Sequence, residues 1–255
     1  MAVNIDMFGA EAVEPKTGDM SIIPVSVIDL FSQGIREAEN HDKTSSRANY
    51  SPFPREVVNL CYELYLRDCD NIFDPFAGWG ERHEGALRYG KQYTGFDISD
   101  EAIEKACKDY GVMNHRADSS ITPPPNTFDG LLTCPPYWNL EVYDNLRGID
   151  RTNTWHEFLG KLRDIFQLAY SAAASGATFC VMSGDWRKNH IYYDLTYQID
   201  KIFEALGAES IDKITISRKK VSKIKVMLPQ AKRLGYTVRV HESLNVYRKT
   251  EKRVA

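Results

Sequence analysis

An α/β fold is predicted, with a mostly parallel sheet, helices on both faces and an antiparallel strand at the C-terminal end. Three observations predict it. From about residue 55 onward, short apolar runs alternate with amphipathic helical patterns, the order that builds parallel strands joined by helical crossovers. Two unusual stretches, DPFAGWG at 74–80 and TCPPYW at 133–138, each follow an apolar run, and ligands of such sheets bind beyond the carboxyl ends of the strands. The last two apolar runs, in DKITISR and TVRVHESLNVYRK, have no long helical pattern between them, so the final strand is expected to return antiparallel.

The elements follow in order. Residues 1–45 read as an N-terminal arm: Gly, Pro and acids without periodicity come first, then SIIPVSVIDLFSQGI, a short strand and a helix start. The polar stretch 39–54, closed by prolines, is a loop. Val57, Val58, Cys61, Leu64 and Tyr65 recur at helical spacing. NIFDPFAGWGE is a strand entering a Gly-rich turn, and RHEGALRYG is a helix closed by Gly90. Tyr93–Ile98 is a second strand. DEAIEKACKDYG is a helix capped by Ser99 or Asp100 and stopped by Gly111. VMNHRADSS and FDGLLTCPPYW supply the third and fourth strands. A long amphipathic helix over TWHEFLGKLRDIFQLAYSAAASG precedes a fifth strand in ATFCVMSGD, and YYDLTYQIDKIFEALGA is another helix.

The chain has 255 residues, 43% of them hydrophobic, and a formal net charge of −3. That supports one sizeable core, and any basic surface has to be local. No apolar run reaches the length of a membrane span, and the first residues lack the basic start and apolar core of a signal peptide. The five cysteines include no CxxC pair and the six histidines do not cluster, so neither a disulfide framework nor a zinc site is expected. Cys61, Cys69, Cys107 and Cys180 read as small buried residues of a reducing, cytoplasmic protein.

The chemistry concentrates at strand ends. DPFAGWGE places Asp74, Gly78 and Gly80 after the first regular strand, and Asp97 follows 23 residues later at the end of the next. An acid about 20 residues beyond a glycine turn suits ribose hydroxyls, and several cofactors carry that nucleoside. After Gly78-Trp79-Gly80 come Glu81, Arg82 and His83, so the dinucleotide GxGxxG pattern is absent, and no GK[ST] follows. A turn without lysine and with Glu81 beside it favours a cofactor without phosphates. Taken alone, a Gly-x-Gly is more often an ordinary tight turn. Asp118 at the third strand's end shifts the balance toward cofactor binding.

Together, DPFAGWG, GFDIS and TCPPYW resemble the motifs of S-adenosylmethionine-dependent DNA amino-methyltransferases, which methylate N4 of cytosine or N6 of adenine. The resemblance covers roughly 51–249, including SPFP before the first helix and HESLNVYRK at the end. It implies a Rossmann-like methyltransferase fold over 46–255, S-adenosylmethionine as cofactor and DNA as partner, with no membrane. Asp74, Phe76, Gly78 and Gly80 would line the methionine part, Asp97 would bind the ribose hydroxyls and Asp118 the adenine amine, Phe53 would close the pocket, and Ala77 and Ile98 would also belong to the cofactor site. With the cofactor motif first and no long insertion, the order resembles the gamma arrangement.

The same resemblance makes Cys134, Pro135, Pro136 and Tyr137 the catalytic tetrad, usually opened by Asp, Asn or Ser. Pro135 O and Cys134 would accept from the target amine, and Tyr137 would stack on the base. Two prolines stiffen the backbone and preorganise these acceptors. The departure is Cys134, whose sulfur is a weak acceptor; its likeness to the Ser form leans toward cytosine N4. A covalent role for this cysteine fits poorly, because in cytosine-C5 enzymes the cysteine follows the proline.

Between Lys213 and Arg239 stand nine lysines and arginines and no acid. This basic segment, 210–239, is expected to meet phosphates through Arg218, Lys219, Lys220, Lys223 and Lys225, although charge runs are often only solvated faces. Trp138 and Trp155 are stacking platforms or core residues. Asp185, Trp186 and Arg187 border the base pocket, or Asp185 caps a helix. Two rival readings remain. One is a methyltransferase of RNA bases or protein amides, whose tetrads usually open with Asn. The other is a silent nucleic-acid-binding member of the fold.

Overall fold

The structure is a computed structural model that describes residues 26–30, 53–140, 148–217 and 223–250, with side chains of the last segment described from Met227. Its strands are β1 (Val27–Asp29), β2 (Asn71–Asp74), β3 (Gln92–Asp97), β4 (His115–Arg116), β5 (Gly130–Thr133), β6 (Thr178–Ser183), β7 (Trp186–Lys188), β8 (Ile191–Tyr193), β9 (Ala208–Ser217) and β10 (His241–Lys249). Its helices are α1 (Arg55–Leu60), α2 (Glu81–Arg88), α3 (Asp100–Tyr110), α4 (Trp155–Ala172), α5 (Leu195–Ala205) and α6 (Lys223–Leu234).

Eight strands form one sheet in the order β1-β9-β10-β6-β5-β2-β3-β4. Strands β2 to β6 run parallel, while β10 is antiparallel to both β6 and β9. The carboxyl ends of β2–β6 therefore share one edge with the first residues of β10. That places His241 and Glu242, which begin their strand, beside residues that end theirs. Strand β1, from the stretch read as an arm, pairs with β9 at the sheet's margin.

The central strands are buried on both faces, as continuous apolar runs require. In β6, Phe179 and Val181 join the core under α4 and α5, while Cys180 and Met182 join the core under α1. This is the two-residue alternation of a strand. Helix α4 buries Phe158, Leu162, Ile165, Phe166 and Ala169 along one stripe, each large side chain contributing roughly 1.5–3 kcal/mol by leaving water. It starts in a capping box between Thr154 and Glu157.

Four expectations change. The segment between the last two strands carries a helix, α6, which Pro229 and the dense lysines hid from a periodicity reading. The third strand shrinks to the two residues of β4. The stretch after β6 makes a separate hairpin, β7–β8, closed by Asn189 and His190 at φ of 50° and 67°. Two consecutive left-handed residues suit a tight hairpin, but Asn-His is a weak signal for one. Cys61, Cys69 and Cys180 are buried, whereas Cys107 is exposed on α3.

Candidate active site

The turn after β2 is held from beneath by Asp74, which is fully buried. Its Oδ1 accepts from Phe76 N at 2.9 Å and from the Thr133 hydroxyl. Its Oδ2 accepts from Arg82 Nε and Tyr93 Oη, each at 2.6 Å. Arg82 also donates to Phe76 O and lies 4.8 Å above the Phe53 ring. Burial alone would lower the Arg82 pKa, but Asp74 and its hydrogen bond outweigh it and hold the guanidinium charged. Desolvation, then the Asp74 charge, raises the Tyr93 pKa, so its hydroxyl stays a donor. The Thr133 bond is the junction of the two motifs: it ties the end of β5 to the end of β2.

The two glycines of the turn do different work. Gly78, at φ 56°, points its N–H at Asp97 Oδ2, 2.8 Å away. Gly80, at φ 95°, opens α2 and packs on α3, where an added Cβ would stand 2.8 Å from Ala106 Cβ. Asp97 accepts on its other oxygen from Ser99 N at 2.8 Å. The residue keeps a partly open edge. Desolvation nevertheless dominates its titration and raises its pKa, with the backbone bonds from Ser99 and Gly78 opposing. Asp118 is fixed by Ser120, whose N–H and hydroxyl donate to it at 2.9 and 2.6 Å.

Above these strand ends opens a cleft. Phe53, Phe76, Gly78, Asp97, Ile98 and Asp118 line one half of it, and Cys134, Pro135, Pro136 and Tyr137 line the other. So the structure brings most of the expected residues into one cleft. Asp74, Ala77 and Gly80 do not line it; they are the scaffold below. Trp138 does not line it either. Its indole N–H donates to Thr152 O at 2.9 Å, and its ring packs against Trp155 and Tyr193.

Asp185 resolves as a structural residue. Its carboxylate accepts from Thr196 N in the first turn of α5 at 3.0 Å and from Tyr192 Oη. Trp186 is buried against Tyr137, Trp155 and Tyr193. Arg187 is exposed over the Tyr192 and Tyr236 rings. Arg218, Lys219 and Lys220 lie outside the described residues. Lys223 and Lys225 fall on α6, before its described side chains.

Several lining residues were not singled out as site residues in the sequence: Trp79, Ser99, Asp150, Met182 and Glu242. Ser99 was foreseen only as the cap of α3, where its hydroxyl accepts from Ala102 N at 3.2 Å. Glu242 reaches the cleft from β10 and accepts from Tyr137 Oη at 2.8 Å. Five carboxylates line the cleft, on Glu81, Asp97, Asp118, Asp150 and Glu242, against Arg82, whose charge is matched by Asp74, and with Asp150 paired to Arg151. Such a wall repels phosphate and favours a cationic ligand. Among the described residues no cluster of His, Cys, Asp and Glu is arranged to hold a metal ion, and no helix is long and apolar enough to cross a membrane.

No protein-family model matches the sequence, and no curated protein does. Solved structures do resemble it. The N-methyltransferase NodS from Bradyrhizobium japonicum, in complex with S-adenosyl-L-homocysteine, aligns over 87% of this chain and 99% of its own, with a TM-score of 0.52 and 15% identity. An O-methyltransferase segment of StiE aligns over 77% of this chain and 72% of its own at 13% identity, with a TM-score of 0.51. TrmN from Thermus thermophilus aligns over 77% of this chain but 49% of its own, at 12% identity and a TM-score of 0.50. The chain has a Rossmann-like methyltransferase fold. At these identities the likeness is one of fold.

Proposed function

We propose that this protein transfers a methyl group from S-adenosylmethionine to the exocyclic amine of a DNA base, with cytosine N4 favoured over adenine N6. The observation that carries the reading is a single cleft in which the Gly78–Asp97–Asp118 edge faces Cys134–Tyr137.

The residues present fit the cofactor. Asp97 ends β3 with both oxygens anchored by backbone N–H groups, and each keeps a lone pair for a ribose hydroxyl. Asp118 stands at the next strand end to accept from an adenine amine. The acidic, partly aromatic lining suits a cation without phosphates. S-adenosylmethionine supplies a methyl group activated by its positive sulfur.

The other half handles the base. An exocyclic amine is a poor nucleophile because its lone pair is delocalised into the ring, so acceptors that draw on its hydrogens free that pair. The Pro135 carbonyl and the Cys134 sulfur are assigned that task, on a backbone stiffened by two prolines. Tyr137 is assigned to stack on the base; its hydroxyl is held by Glu242 and its ring by a T-shaped contact with Trp186, centroids 5.4 Å apart. A base amine within a duplex is committed to its partner, so the target is flipped out or single-stranded.

The test is incubation with tritiated S-adenosylmethionine and plasmid DNA, intact and heat-denatured, followed by digestion to nucleosides and chromatography with mass detection. Label in N4-methylcytosine is expected. Label in N6-methyladenine would keep the class and change the base. No label in DNA, with S-adenosylhomocysteine still bound, would overturn the DNA reading.

A further inference from the structure

We propose that Glu242 is the acceptor that the Cys134-Pro135-Pro136-Tyr137 tetrad lacks: its carboxylate receives an N–H of the target amine and takes the proton released on methyl transfer. The inference deepens the proposed function and rests on it.

Strand register supplies the first argument. Leu244 of β10 pairs with Met182 of β6, and both belong to the core under α1 together with Leu132 of β5. Glu242 stands two residues before Leu244, and Cys134 two residues after Leu132. Strand alternation puts the Glu242 side chain on that same sheet face, Cys134, one residue past the end of β5, packs against the same core, and both line the cleft. The antiparallel direction of β10 is what brings a strand's beginning to this edge.

Space and chemistry agree. Gly184, across from Glu242, leaves room for this side chain: an added Cβ would lie 3.1 Å from Glu242 Cγ and 3.2 Å from Tyr137 Oη. Glu242 accepts from the hydroxyl of the tetrad's last residue at 2.8 Å, so its carboxylate stands at the hydroxyl end of the ring assigned to the base. The tetrad itself offers no carboxylate or amide side chain, and a cysteine sulfur accepts weakly. Asp150, the other carboxylate of this half, is 3% exposed and lies 3.5 Å from Arg151 Nε, which leaves Glu242 the better placed. In the step, the amine nitrogen's lone pair forms the new N–C bond. The methyl–sulfur bond breaks with its pair left on sulfur, and the surplus N–H proton passes to Glu242 and then to water.

The test has a binding arm and a turnover arm. Single-stranded oligonucleotides carrying dC or dU at one site differ at position 4 in an amine donor against a carbonyl acceptor; dA and dI make the matching purine pair. Wild-type protein with S-adenosylhomocysteine should prefer the amine by about tenfold, the scale of a hydrogen bond to a charged group. Glu242→Gln should lose that preference and lower kcat by about 100-fold, with S-adenosylhomocysteine Kd within about twofold. Cys134→Asp in the Glu242→Gln protein should restore part of both, which a merely structural loss would not allow. Should Glu242→Gln fail to fold, Glu242→Asp should give an intermediate preference. An amine preference and kcat unchanged in Glu242→Gln would overturn the inference while labelled DNA kept the function. A wild-type protein that binds no S-adenosylhomocysteine would overturn both.

Discussion

The two halves of the cleft are built on opposite plans. The half at the ends of β2, β3 and β4 is local: Asp74 and Asp97 end strands, Gly78 and Asp118 stand in the loops that follow, and all are fixed by near neighbours. The half at β5, β6 and β10 is assembled across the chain. Tyr137 is held by Glu242, 105 positions away, and by Trp186 from a hairpin that belongs to no part of the main sheet. In the function proposed above, the half assigned to the cofactor is made from short-range turns, and the half assigned to the substrate draws on what the sheet brings to its edge.

The largest effect should come from the scaffold that both halves share. Asp74→Ala removes the acceptor of Arg82, Tyr93, Thr133 and Phe76 N at once and leaves a guanidinium buried without its counter-charge. About 3–5 kcal/mol of stability should be lost, read as a shift in urea midpoint with little change in slope. A loss below about 1 kcal/mol would mean that the two halves are held independently.

This contrast also explains what the sequence made legible. Gly78, Asp97 and Asp118 were readable because a glycine turn and strand-end acids are short-range patterns. Asp74 was readable as important but misplaced, since sequence cannot say which face of a turn a carboxylate serves; here it faces the interior and braces Arg82. Glu242 was invisible as a cleft-lining residue: nothing in HESLNVYRK says that this strand runs antiparallel with its first residues at the cleft edge. Trp138 and Trp155 were left between stacking and core, and the aromatic cluster takes both. Helix α6 escaped because its apolar spacing is interrupted by lysines and Pro229.

A smaller effect should separate the local half. Asp97→Asn keeps the shape but removes the charge that would meet a ribose. S-adenosylhomocysteine binding should weaken by about 10–100-fold, measured by calorimetry, with the amine preference of the oligonucleotide arm unchanged. The wild-type pH dependence follows from the raised Asp97 pKa. Hydroxyl donors need the carboxylate, so binding pulls that pKa down and releases a proton. Affinity should be flat above the raised pKa and fall as pH drops through it, at a pH higher than an ordinary aspartate would give; Asp97→Asn should remove that dependence. For the free protein the sign reverses. A raised carboxyl pKa means stability that is fully present below the unfolded pKa and lost as pH rises through the folded one.

The smallest effect should fall on the distant half alone. Gly184 meets no ligand directly, yet it keeps open the space shared by Glu242 and Tyr137. Gly184→Ala introduces one methyl group that both neighbours must yield to by a few tenths of an ångström. The stability cost should be about 1 kcal/mol, the low end for overpacking, because a glutamate side chain can swing where backbone cannot. S-adenosylhomocysteine affinity should stay within about twofold, since the altered contacts lie beyond the ribose-binding edge. The preference for dC over dU should fall, because the displaced carboxylate no longer faces the base. If cofactor affinity fell instead and the preference held, Gly184 would belong with the strand-end turns, and the division between a local and an assembled half would be drawn in the wrong place.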